Sequence, residues 1–176
     1  AADLDWLQQG DTLTLTYTAQ INDGSGNVGA QTLVITINGT NDVPTIDGAT
    51  NPDPITEIAG DSSAQVIAAT GNISFTDQDL GDSLTLSVTG NATASYNGGA
   101  VPIDPAVDIS ALIASDAISF DQAGLTSDGG QQTINWSYDP AAADLDWLQQ
   151  GDTLTLTYTA QINDGSDRKS TRLNSS

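Results

Sequence analysis

The sequence predicts an all-β fold, an antiparallel sandwich, on three observations. Short segments alternate apolar residues with Thr or Ser at period two. Turn residues separate these segments at short intervals. A single stretch, PAVDISALIAS (105–115), has helical spacing. Thr and Ser fill the outward positions of the alternating segments and supply β propensity without charge.

The elements follow in order. In TLTLTYTAQI, Leu13, Leu15, Tyr17, Ala19 and Ile21 alternate with Thr and Gln. QTLVITIN (31–38) is β-branched, and the Gly- and Asn-rich NDGSGNVGA lies between, so 12–38 reads as a β-hairpin. NGTNDVP (38–44) is polar, closes at Pro44 and reads as a linker. Further strands are expected at 64–69, 72–76, 83–89, 92–96, 117–120 and 131–138, and at 153–162, which repeats the first strand. In 105–115, Pro105 suits a first helical position, and Val107, Ile109, Leu112 and Ile113 form a loose apolar stripe.

Residues 1–25, AADLDWLQQGDTLTLTYTAQINDGS, recur without change at 142–166. The offset of 141 residues implies a tandem array of units near that length. Three segments are therefore expected: 1–42, the C-terminal hairpin of one repeat plus linker; 43–166, the next repeat without its last strand; and 167–176. That last segment, DRKSTRLNSS, matches one reading frame of a common short-read sequencing adapter and is expected to be non-native.

Charge narrows the function. The chain of 176 residues has 23 Asp and Glu, three Lys and Arg, and a net charge of −20. The basic residues are Arg168, Lys169 and Arg172, so residues 1–166 contain none. Nucleic acid and anionic membrane surfaces are excluded as partners, because no cation meets their phosphates. Without His or Cys there is no catalytic triad, no thiolate or imidazole zinc site and no disulfide. No apolar run approaches the roughly 20 residues of a membrane span. Self-repulsion on this scale requires neutralisation, and the cation must come from solution.

The acids sit in turns. The densest group is Asp77-Gln78-Asp79-Leu80-Gly81-Asp82, between two expected strands. Calcium takes about six to eight oxygens from carboxylates, carbonyls and amides, and D-x-D spacing in extended backbone sends two carboxylates the same way. A solvated acidic turn is the plain alternative. Other candidates are Asn38, Asn41 and Asp42 in the linker, Asp5 and its copy Asp146 in LDWL, and Asp23 and its copy Asp164 in NDG. Glu57 is the only Glu. Paired carboxylates can hydrolyse glycosides when they face each other about 5–10 Å apart. Repeated turns and few aromatics argue against a catalyst, and no enzyme is expected. Trp6, Trp136 and Trp147 read as core or sheet-packing residues.

LDWLQQGDTLTLTYTAQINDGSGNVGAQTLVITINGTNDVPTI resembles the C-terminal half of a VCBS repeat of giant RTX-type bacterial surface adhesins. ISFTDQDLGDSLTLSV resembles the opening of that repeat and TINWSYDPAAADLDWL its middle, so the resemblance spans 1–166. The layout is similar, more distantly, to cadherin domains, which implies a Greek-key, immunoglobulin-like sandwich. It also implies calcium at a junction formed by Asp5, Asn38, Asn41, Asp42, Asp77, Asp79 and Asp164. Glu57 and Asp146 would serve the next junction, and Asp82 a site within the repeat. Leu7 and Asn38 stand where cadherins place acids, which implies fewer ions or weaker binding. The implied function is a secreted, extracellular spacer on a bacterial cell surface, supporting adhesion and biofilm formation. Its partners are neighbouring repeats, with any host or surface ligand gripped elsewhere in the protein. The alternative is a calcium-dependent glycan- or protein-binding module. Because an isolated hairpin is marginal in water, 12–38 is expected to dock on the 45–166 body rather than stand apart.

Overall fold

The computed structural model describes residues 4–26, 28–60, 63–104 and 107–165. The expectations for Pro105 and for the 167–176 tail lie outside the described residues. Alternation produces strands nearly everywhere it occurs. β1 (Thr12–Asn22) pairs antiparallel with β2 (Val28–Asn38) over eleven consecutive positions, from Thr12 opposite Asn38 to Asn22 opposite Val28. β3 (Thr45–Ala49), β4 (Ala69–Thr76), β9 (Gln131–Tyr138) and β7 (Ile118–Phe120) form a four-stranded antiparallel sheet in the order β3-β4-β9-β7. β11 (Ala160–Asn163), β5 (Ser83–Val88) and β8 (Gly124–Thr126) form a second sheet. β10 (Leu154–Thr157) pairs with β6 (Thr93–Tyr96).

The core shows how the sheets meet. Phe75 and Ile134 come from the four-stranded sheet, and Leu84, Leu86 and Ile162 from the three-stranded one; all five are buried in one cluster. Two antiparallel sheets burying their inward residues against each other is the arrangement of a β-sandwich. A second cluster, Leu112, Ala143 and Leu145, is flanked by Leu154 and Leu156. Among the described residues no helix is long and apolar enough to cross a membrane.

The structure departs from expectation in several places, and Trp6, expected as a core or sheet-packing residue, is 46 % exposed. The segment 64–69 gives the bridge Gln65 to Ala143 and, at Ala69, only the first residue of β4. The expected strand 153–162 divides into β10 and β11, because its two halves pair with different strands. The helical stretch contracts to α1 (Ser110–Ile113) and a 3-10 turn at Ser115–Ala117, with no side-chain cap on either. The hairpin β1–β2 forms its own two-stranded sheet, with Tyr17, Ile21, Leu33, Val34 and Ile35 exposed. The expected docking on the body is therefore not the arrangement found: β10 and β11 already hold the positions beside β6 and β5 that the identical β1 would take.

Tyr158 ties this end of the sandwich together. Its hydroxyl donates to the Leu112 carbonyl at 2.6 Å or the Ala114 carbonyl at 3.0 Å, and its ring lies 5.9 Å from Tyr138. Tyr158→Phe is expected to cost about 1 kcal/mol in denaturant unfolding, the usual net worth of a hydrogen bond. Tyr17→Phe, at the same position of the other copy but 55 % exposed, is expected to change nothing.

Candidate metal centre

The loop between β4 and β5 crosses from one sheet to the other, so its residues leave the sandwich at one end of the core. Asp77 and Asp79 are 1 % and 0 % exposed, and Asp82 is half-buried. One carboxylate oxygen from each of the three lies within 4.8 Å of the others. The loop holds this shape through its backbone. The Asp79 N–H donates to Asp77 Oδ1 at 3.1 Å, an Asx turn, and Gly81 takes φ of +99°, open to glycine without strain. The Gly81 N–H donates to the Ser127 carbonyl, and the Ser127 N–H to the Asp82 carbonyl. Buried Ser127 also donates its hydroxyl to the Asp77 carbonyl at 3.0 Å.

The linker closes over this loop. The Asp42 N–H donates to Asp79 Oδ2 at 2.7 Å, and Asn41 Nδ2 donates to Asp164 Oδ2 at 3.0 Å. Asp164, in the NDG turn after β11, is buried. Gln8 reaches the same loop, donating its amide to the Leu80 carbonyl at 2.6 Å. Asp5 lines a small polar cleft beside it with Asn38, Gly39, Thr40 and Asp42.

Electrostatics set the centre apart from a solvated turn. Asp77 Oδ2, Asp79 Oδ1 and Asp82 Oδ2 are buried and accept no hydrogen bond. A buried carboxylate oxygen without a donor loses solvation that nothing returns. Burial accordingly pushes the Asp77 carboxyl up to about 6; the Asp79 N–H opposes the shift, and the charges of Asp82, Asp79 and Asp164 add to it. Burial also raises Asp79, against the Asp42 N–H and with the charges of Asp42, Asp164 and Asp11. Asp82 is raised by burial and by Asp79 and Asp164. Three clustered carboxylates, each with one unmet buried oxygen, fit a divalent cation, which would supply both the missing partner and the missing charge. The donors are all oxygen, which suits hard cations.

The structure thus brings together Asp77, Asp79 and Asp82, and sets Asn41, Asp42 and Asp164 against them. Asn38 is exposed at the end of β2, where Thr12 Oγ1 approaches its Oδ1 at 3.4 Å. Glu57 and Asp146 are outside the ligating group, as is Asp5. Glu57 precedes Ile58, whose N–H donates to Gln65 Oε1, and Gln65 bridges to Ala143, three residues before Asp146. Sequence reading missed Ser127 and Gln8. The SDGG turn at 127–130 gave a weak sign of the first; a long-range contact from Gln8 leaves no local pattern. Comparison with known proteins finds no matching family model, no similar curated protein and no similar solved structure.

Proposed function

We propose that this chain is a spacer segment of a secreted bacterial surface adhesin, built from tandem Greek-key sandwiches of VCBS type and stiffened by calcium where linker meets sandwich. One observation carries the reading. The buried acidic oxygens without partners lie where Asn41 and Asp42 of the linker bond to Asp164 and Asp79 of the following sandwich. An ion there would fix the linker to the domain after it, and so fix the angle between successive units. The 25-residue identity supports a repeating array. Trp147 favours a structural role, since its ring packs 5.6 Å from Tyr96, whereas its copy Trp6 is exposed. The cation is calcium in this reading because a crowded set of carboxylates and amides suits its larger, flexible coordination better than the strict octahedron of magnesium. In an extracellular setting, millimolar calcium would stabilise and extend an array that is less stable at cytosolic levels.

Isothermal titration with calcium and with magnesium tests the proposal. Calcium binding that is lost in Asp79→Asn is expected; equal heats for both ions, or none, would overturn it. Asn41→Ala removes the amide that holds Asp164 and is expected to weaken calcium by ~10–100-fold, the usual cost of losing an orienting partner.

A further inference from the structure

We propose that the hairpin β1–β2 is an exchange surface for a second copy of this chain, in which β1 takes the place of segment 153–163 in the partner sandwich. The inference starts from residues 12–25 and 153–166, which are identical in sequence and differ in surroundings. Ile162 is 1 % exposed, wedged among Phe75, Leu84, Leu86 and Ile134; its twin Ile21 is 79 % exposed. Tyr158 reaches the Leu112 and Ala114 carbonyls, whereas its twin Tyr17 faces solvent. A sandwich of this chain therefore already contains a seat shaped for the sequence of β1. Two of the side chains that fill it, Tyr158 and Ile162, have twins that the hairpin leaves uncovered.

The backbone provides the driving force. Segment 153–163 pairs through two four-residue runs, to β6 and β5, and both β10 and β11 end their sheets. β1 carries a partner strand over its whole length, from Thr12 to Asn22. Replacing 153–163 by β1 would offer the seat the same side chains and add β2 to the sheet edge. It would also bury the apolar face of the hairpin, which water otherwise solvates at a cost proportional to its area. Exposed apolar strands with open edges are the usual route to such pairing. The acid cluster survives the exchange, because Asp23 arrives where Asp164 stood. The contact is heterologous, so reciprocal exchange closes a dimer and serial exchange extends a filament. Both copies are acidic, so association is expected to strengthen as salt screens them.

Cysteine cross-linking tests the arrangement, since the chain has no native Cys. Thr157 lies opposite Thr93, and the twin of Thr157 is Thr16. Thr16→Cys and Thr93→Cys chains are refolded together at high concentration, oxidised, and compared with each alone. Both positions are exposed, so both variants should fold. Exchange predicts a doubled or higher mass by light scattering and a mixed disulfide several-fold more abundant than either homodimer. Ile21→Asp, at a position exposed in the single chain, should return the mass to monomer. A monomer at every concentration, or association without the 16–93 cross-link, would each overturn the proposal.

Discussion

Millimolar calcium is expected to raise the melting temperature of this chain by on the order of 10 °C, and Asp79→Asn to remove the increment. Three carboxylates, two of them on fully buried side chains, bring one oxygen each within 4.8 Å and repel one another, and each keeps one buried oxygen that accepts no hydrogen bond. A ligand that binds only the folded chain stabilises it by about 4 kcal/mol at a thousandfold excess over its Kd. For a domain of this size each kcal/mol is worth a few degrees. In chelator, Asp79→Asn should leave stability unchanged or raise it, because it deletes one buried charge while its amide oxygen can still accept from the Asp42 N–H. The two thermal curves should therefore cross: the variant at least as stable in chelator, the parent more stable in calcium. A merely structural Asp79 would instead make the variant weaker in both, and that result would remove the metal centre. Magnesium at equal concentration should give a much smaller shift.

The second large effect is on pH. In chelator, the chain is expected to lose stability as pH rises from about 4 to 7, the reverse of ordinary acid denaturation. Asp77 has a folded-state value of about 6 against 3.8 for an unperturbed Asp. Between those values the folded chain holds a proton that the unfolded chain has released, so raising pH favours unfolding. The contribution is full below pH 3.8 and gone above about 6, and a shift of this size amounts to roughly 3 kcal/mol. Asp79 and Asp82 act in the same direction. Asp47, Asp108 and Asp152 are held below 3.8, the first by Gln131 and Thr76, the second by Ser110, the third by Tyr96 and Asn97. Their stabilisation is lost as pH falls below that value, so the chelator profile should peak near pH 4. Calcium competes with the proton for the same oxygens, so its increment should grow from pH 4 to 7. Urea midpoints across this range, with and without calcium, measure both trends. A chelator profile that rises toward neutrality would show that the Asp77 cluster is solvated.

Much of the fold was legible because period-two alternation is a local signal. Leu13, Leu15, Tyr17 and Ile21 announce β1, and QQTINWSY announces β9 with the boundaries found. The failures have a common cause. TIDGA at 45–49 and GLT at 124–126 are strands only because β4 and β5 lie beside them and accept their pairing. AQVIAA looks like a strand but supplies a bridge at Gln65 and the first residue of β4 at Ala69, because no strand lies alongside the residues between. For the candidate site, the D-x-D-x-x-D spacing marked the three converging acids, while their burial and their unmet oxygens were invisible in it.

The sequence by itself determined the strand alternation, the repeat, and a charge so one-sided that neutralisation must come from solution. Those are properties of composition and local periodicity, and need no neighbours. The tertiary structure alone decided which acids share a site: Asp164 stands 85 residues after Asp79, and Asn41 36 before Asp77, yet all meet at one end of the sandwich. It alone also separated two identical segments, burying Ile162 and exposing Ile21. Burial belongs to what surrounds a residue, and the same 25 residues acquire it only where two sheets close over them.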